Sequence, residues 1–241
     1  MNSIKQIYNN LYKKYGCQGW WPLTELNNKE QVNITKSGSI KGYHPNDYTL
    51  PATRDQVYEV CIGAIATQSV GWNSVEKALL NLKKLNALNP ERLMKLDDKT
   101  LKEAIKPAGY FNQKARKIRE FTQFFMPLNN KVPTRNELLD IWGIGCETAD
   151  SMLLYAFKVP TFVVDAYTRR IFGNLGFIDD KADYDEIKAL FEKNVEPDLV
   201  VYQEYHALIV EHAKRYYSKQ ADKKLCPLYN KFAKSRRKGK D

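Results

Sequence analysis

The sequence predicts an all-α protein of about ten helices joined by short connections. Three observations predict it. Apolar residues recur at three- and four-residue spacing through most of the stretch from Arg54 to Tyr217. Helix-capping residues, glycines and prolines punctuate those runs at short intervals. Only one brief extended run, Thr161–Val164, interrupts the pattern.

The elements follow in order. Residues 1–15 read as an amphipathic helix with Ile4, Ile7, Tyr8, Leu11 and Tyr15 on one side. Residues 16–53 hold glycines, prolines and polar residues around Trp20, Trp21 and Tyr43, and read as loop. Val57, Val60, Cys61, Ala64 and Ile65 mark the next helix, and Asn73 or Ser74 can cap one running to Leu82. Pro90 opens a short segment to Leu96; Asp98 can cap Leu101–Ile105, which Pro107-Ala108-Gly109 ends. Asn112 or Gln113 starts a helix to Phe125, and Thr134 can cap Asn136–Ile141. Cys146–Phe157 is a strongly apolar helix. Asp165 can cap Tyr167–Leu175, with Gly176 just past its end, and Asp183 can cap Glu186–Asn194. Tyr202–Tyr217 is a long helix followed by a basic tail.

At 241 residues the chain suits one large or two modest domains, and 43% apolar with 27% charged residues excludes a disordered or fibrous chain. No apolar run approaches the roughly 18 residues of a membrane span, and residues 1–15 carry no continuous apolar stretch of a signal peptide. A cytoplasmic location follows as the expectation. The net charge of +10 is concentrated at the C-terminal end. From Ala213 onward lie Lys214, Arg215, Lys219, Lys223, Lys224, Lys231, Lys234, Arg236, Arg237, Lys238 and Lys240, against only Asp222 and Asp241. A basic segment beside a near-neutral body suggests a polyanionic partner, nucleic acid first and an acidic membrane surface second. Cys17, Cys61, Cys146 and Cys226 are far apart, without zinc-site spacing, so reduced thiols and no metal are expected.

Residues 138–157 carry the first chemical motif. A short helix runs into Gly143-Ile144-Gly145 and a second helix begins at once. Two glycines two apart allow a tight turn and close approach of another backbone. The N–H groups of Ile144, Gly145 and Cys146 are then expected to point outward at a helix N-terminus, where a phosphate is attracted. An ordinary helical hairpin would look the same. Asp165 follows, within Phe162-Val163-Val164-Asp165-Ala166-Tyr167, and a plain N-cap worth about 1 kcal/mol would also explain it.

The conjunction of Gly-hairpin, helix, extended run and Val-Asp before a helix resembles the helix-hairpin-helix DNA glycosylase superfamily, the endonuclease III relatives. Ala64–Ser69, Gly109–Ala115 and Tyr205–Lys214 resemble three further segments of that family in the same order. The resemblance covers residues 54 to about 228. It implies a six-helix barrel domain over 54–160, a second helical domain built from 1–53 and 161–241, and an active-site cleft between them. It implies that Asp165 is the catalytic aspartate. Gly143 and Gly145, with Ile144 and Cys146, would grip the DNA backbone, where a monovalent cation could also bind. Gln68 would fill the gap left by a flipped nucleotide. The implied partner is double-stranded DNA containing a damaged base, bound by a monomer, nucleoid-associated in a prokaryotic cytoplasm, with no membrane.

Two departures sharpen this. The lysine that forms a Schiff base in bifunctional members falls on Glu147, and a carboxylate cannot form an imine. The chain thus looks like a monofunctional glycosylase with little strand-cleaving activity. The ligands of the iron–sulfur cluster carried by many relatives fall on Tyr216, Lys223, Cys226 and Phe232, and one cysteine cannot hold a cluster, so none is expected. Glu147 together with Trp20-Trp21-Pro22 is similar to the 3-methyladenine glycosylase branch. Electron-rich indoles attract a cationic alkylated purine. Trp20, Trp21, Tyr43, Glu147 and Lys214 are the candidate pocket residues, His44 a further one, although either tryptophan could equally be packing and Lys214 a surface or phosphate-contacting lysine. In the alkylbase branch a lysine near Lys214 can be carbamylated. The alternatives are a glycosylase for mismatched thymine, uracil or an oxidised base, and a non-catalytic helix-hairpin-helix DNA-binding protein.

Overall fold

The computed structural model describes residues 3–26, 42–217 and 225–233, which fall into two compact units. The basic tail from Lys234 onward, with Lys219, Lys223 and Lys224, lies outside the described residues.

The larger unit comprises residues 19–26 and 42–159. Its helices are α2 (Arg54–Ala66), α3 (Trp72–Lys84), α4 (Pro90–Lys95), α5 (Asp98–Ile105), α6 (Phe111–Phe125), α7 (Arg135–Leu139) and α8 (Cys146–Ser151). Helix α2 is the centre. Every residue from Tyr58 to Ala66 is buried, so it is enclosed on all sides rather than amphipathic. A capping box starts it, with Thr53 Oγ1 accepting from Gln56 N–H and Gln56 Oε1 accepting from Thr53 N–H. The rings of Phe121 and Phe125 on α6 pack on Tyr58, whose hydroxyl pairs with Thr122 Oγ1 at 2.6 Å. Lys114 of α6 is buried, and its ammonium donates to Ala66 O and Ala108 O at 2.8 and 2.7 Å, capping the end of α2. Burial pushes its pKa down to about 8.

The smaller unit comprises residues 3–18, 160–217 and 225–233. It holds α1 (Ser3–Tyr15), α9 (Ala166–Asn174), α10 (Tyr184–Glu192) and α11 (Leu199–Tyr216). Helix α11 is its core, packed against α1 and α9. Phe162 stacks on Phe191 at 4.1 Å between centroids, and Tyr205 donates from its hydroxyl to Ile4 O at 2.8 Å. The run from Thr161 to Val164 is extended but is held by side chains, Phe162 N–H donating to Glu192 Oε1 at 2.9 Å and Val164 N–H to the Tyr184 hydroxyl at 3.3 Å; among the described residues there is no β-strand, and the protein is all-α.

Several boundaries differ from the sequence reading. Asp97, not Asp98, caps α5, accepting from Thr100 N–H at 2.8 Å. Helix α3 begins at Trp72 behind Gly71. The apolar helix expected over 146–157 is α-helical only to Ser151 and continues as a π-turn, Met152–Ala156. Residues 19–26 and 42–53, expected with the terminal domain, belong instead to the unit of α2–α8. Glu59 of α2 is the reason. Its carboxylate accepts from both the N–H and the hydroxyl of Thr24, at 2.6 and 3.0 Å, while Lys83 of α3 donates to Thr24 O at 2.7 Å. This strap, which carries Trp20 and Trp21, is thereby tied to two helices.

Burial raises the Glu59 pKa to about 7 against the opposing pull of Thr24 and Lys83. The folded carboxyl therefore holds its proton more tightly than the unfolded one, and its contribution to stability falls as pH rises from about 4.5 through about 7. Relative to Glu59→Gln, the native protein should lose roughly 1–3 kcal/mol between pH 5 and pH 8 in denaturant melts. A stability gap that does not change with pH would show that Glu59 titrates normally.

Candidate functional site

The strap builds an aromatic cluster. Trp21 is 6% exposed and lies edge-on to Trp72 (5.6 Å) and Tyr155 (5.4 Å). Its indole edge sits over Gly63 of α2, where an added Cβ would come within 2.9 Å of Nε1. Trp21 is thus packing, one of the two readings its sequence left open. Trp20 is only half-buried, and its ring lies 5.9 Å from Trp21, 6.4 Å from Tyr43 and 6.1 Å from Tyr155. Tyr43 is buried and forms part of the floor under Trp20. His44 does not offer a pocket face. It is buried, with Nε2 at 2.9 Å from Trp21 O and Nδ1 at 2.7 Å from Asp47 O, so both ring nitrogens face backbone carbonyls of the strap.

The hairpin joins α7 to α8. Thr134 and Glu137 form a capping box at the start of α7. Gly143 has φ +83°, a left-handed conformation that favours glycine, and Gly145 is the N-cap of α8. Ile144 departs from expectation. Its N–H donates to Ile141 O at 3.1 Å and its side chain is buried, so it closes the turn from within and is not an outward donor. The first-turn N–H groups of α8, from Cys146 on, have no intrahelical acceptor. Gln68, in the α2–α3 connection, has its side-chain amide on this hairpin, donating to Gly143 O and Thr148 Oγ1. Glu147 is exposed on the first turn of α8.

Asp165 lies in the smaller unit as the N-cap of α9. Its Oδ1 accepts from Thr168 N–H and Thr168 Oγ1, both at 2.7 Å. Its Oδ2 lies 3.8 Å from His206 Nε2 of α11, beyond hydrogen-bond reach. The carboxylate is 8% exposed. Burial lowers the His206 pKa, with the Asp165 charge opposing, so the imidazole beside the carboxylate is neutral at neutral pH. Lys214, eight residues further along α11, is half-buried, and burial brings its pKa down to about 8 against the pull of Glu211. Of the other basic residues near the C-terminal end, Arg215 pairs with Glu211 and Lys231 donates to Asn10 Oδ1.

Sequence reasoning missed Tyr110. It is 68% exposed and sits at φ +46°, a left-handed conformation rarely taken by an aromatic residue, at the entrance to α6. An exposed ring held in strained backbone is a candidate contact residue and not part of a core. Gly109-Tyr110, a glycine followed by an exposed-type aromatic at a helix start, was the available signal.

Around Cys226 the smaller unit holds a polar aromatic network. His212 Nδ1 meets Tyr15 Oη at 2.9 Å, its Nε2 lies 3.1 Å from Cys226 Sγ, and the Tyr217 hydroxyl donates to the same sulfur at 3.5 Å. Burial pushes the His212 pKa down to about 3. Tyr216 lies tilted against His212 at 4.7 Å between centroids, and Phe232 is buried. Lys223 lies outside the described residues. One thiol among an imidazole and phenols does not fit the donor set of a 4Fe–4S cluster.

A glycine hairpin tied to a loop glutamine is a candidate nucleic-acid contact in one unit, and the other unit holds a buried carboxylate at a helix start. The comparisons give the family. The description "HhH-GPD superfamily base excision DNA repair protein" matches residues 62–197, and the chain belongs to this superfamily of DNA repair glycosylases. It is 42% identical over 236 residues, 93% of both chains, to the Methanocaldococcus jannaschii protein named "Putative DNA repair glycosylase". It is 29% identical over 180 residues to endonuclease III of Sulfolobus acidocaldarius, covering 70% of this chain and 78% of that one. Among solved structures, H. pylori 3-methyladenine DNA glycosylase bound to 1,N6-ethenoadenine matches with TM-score 0.60 at 29% identity, over 69% of this chain and 91% of the other. A non-covalent endonuclease III–DNA complex matches with TM-score 0.70 at 20% identity, over 99% and 100%, a likeness of fold. Among the described residues no helix is long and apolar enough to cross a membrane.

Gly63→Ala tests the seat of the strap. Alanine gains up to about 1 kcal/mol of helix propensity, yet its Cβ displaces an indole packed between two rings, and overpacking costs about 1–3 kcal/mol. The variant should melt at lower temperature with altered tryptophan fluorescence. A variant more stable than the native chain would show that Trp21 has room to move.

Proposed function

We propose that this protein hydrolyses the N-glycosidic bond of alkylated purines such as 3-methyladenine, without cleaving the DNA strand. The observation that carries the reading is Trp20, a half-buried indole backed by Trp21, Tyr43 and Tyr155. A 3- or 7-alkylated purine is cationic, and an electron-rich indole face attracts it by stacking and cation–π attraction. That the H. pylori relative is a 3-methyladenine glycosylase holding an ethenoadenine supports the same substrate class.

The base must first leave the duplex, at a cost of a few kcal/mol that is lower for damaged or mispaired bases. The hairpin and the basic C-terminal residues supply a sequence-independent, salt-sensitive grip on the backbone. The glycosidic bond of a cationic base is already weakened. As it breaks, its electrons leave with the base and the deoxyribose becomes oxocarbenium-like. Asp165 supplies the opposing charge from Oδ2, since Oδ1 is engaged by Thr168. Water adds to C1′ and gives its proton to that carboxylate. A neutral His206 leaves the charge of Asp165 uncompensated for this purpose. Glu147, where an imine-forming lysine would stand, excludes the covalent route at that position. The network around Cys226 takes the place of an iron–sulfur cluster, and the protein works without one.

Methylated duplex DNA incubated with the protein should release 3-methyladenine. Trp20→Ala should lower single-turnover excision about five- to 150-fold, through loss of a stacking partner worth about 1–3 kcal/mol. Borohydride should trap little covalent adduct on abasic DNA. Excision restricted to mismatched uracil or thymine would overturn the substrate class, and efficient trapping would overturn the hydrolytic route.

A further inference from the structure

Lys117 of α6 belongs to none of the motifs above, yet it is built into the hairpin. Its aliphatic chain crosses Gly143, where an added Cβ would lie 2.5 Å from Cε and 2.7 Å from Cγ. Its ammonium then donates to Gln68 Oε1 at 2.6 Å. Gln68 Nε2 donates in turn to Gly143 O at 3.2 Å and to Thr148 Oγ1 at 3.0 Å. The side-chain amide therefore has its carbonyl and both N–H directions committed. The chain of contacts closes a ring through α6, the α2–α3 connection, the turn of the hairpin and the first turn of α8. The connection is itself anchored, because Lys114 caps Ala66 O two residues before Gln68 and Ser69 takes a left-handed φ of +63° just after it.

We propose that Gln68 and Lys117 together form a strut that positions the helix-hairpin-helix for the DNA backbone, with Lys117 adding a cation at the turn. Gln68 in this arrangement orders the hairpin before DNA arrives, which lowers the entropic cost of binding. The ammonium has three donors, of which Gln68 takes one, and the others serve a phosphate. This account of the hairpin rests on the DNA-binding part of the proposed function but not on the excised base.

The test measures affinity for undamaged duplex at fixed and varied salt, for Gln68→Ala, Lys117→Met and the double variant. Methionine keeps an unbranched chain over Gly143 and removes the donor and the charge. Gln68→Ala should bind about tenfold more weakly, Lys117→Met more weakly still because it also loses the cation, and the double variant scarcely more weakly than Lys117→Met, because both residues are links of one ring. The salt slope of Lys117→Met should fall by about one ion. Amide exchange in residues 143–146 should speed up in all three, and Lys117→Arg should restore binding to within a few fold. Unchanged duplex affinity in Gln68→Ala, or losses that simply multiply in the double variant, would overturn the strut. These readouts need no excision. If the native protein releases no 3-methyladenine, the substrate reading fails while the strut is still decided; if it releases base but the variants bind normally, the strut alone fails.

Discussion

Two hydrogen bonds to Thr168 decide what Asp165 can do. They engage one carboxylate oxygen and fix the plane of the group at the start of α9. The other oxygen belongs to a side chain only 11% exposed, 3.8 Å from an imidazole that burial keeps neutral. A carboxylate in that setting acts more strongly on a developing positive charge than it would in water, and it need not reorganise as the charge appears. On the proposed mechanism the N-cap and the catalytic role are therefore not competing descriptions of Asp165, because the cap would orient the oxygen that acts.

The aromatic strap shows the same economy of parts. Among its described residues it has no regular secondary structure beyond a single 3-10 turn at Thr24–Leu26, and they are held by polar side chains reaching out of helices. Glu59 and Lys83 grip Thr24 from α2 and α3, and His44 grips the backbone of Trp21 and Asp47. Gly63 leaves the space into which Trp21 settles. Once Trp21 is fixed, Trp20 follows on it as a half-buried ring with its own neighbours. The aromatic surface is carried by irregular chain seated on α2 and α3.

What the sequence disclosed follows from the range of the forces involved. Helix positions were legible because capping and apolar spacing act within a few residues, as at Thr134 with Glu137 or Asp183 with Glu186. The hairpin was legible because Gly143 needs a left-handed φ that few other residues tolerate. Asp97 won over Asp98 as a cap by one residue, a difference spacing alone does not resolve. The attachment of the strap was not legible, since Glu59 meets Thr24 across 35 positions and looks like any surface glutamate in a helix. The buried fate of Ile144, the backbone duty of His44 and the ring through Lys117 were hidden for the same reason: each depends on a partner distant in sequence.

Asparagine caps helices as well as aspartate does, so Asp165→Asn separates the two duties of this residue. The decisive measurement is single-turnover release of 3-methyladenine by that variant, set beside its melting temperature and its affinity for DNA. The account predicts nearly unchanged melting and binding with excision reduced by two to three orders of magnitude. Excision at the native rate would mean that Asp165 only caps α9 and that the charge facing the sugar comes from elsewhere.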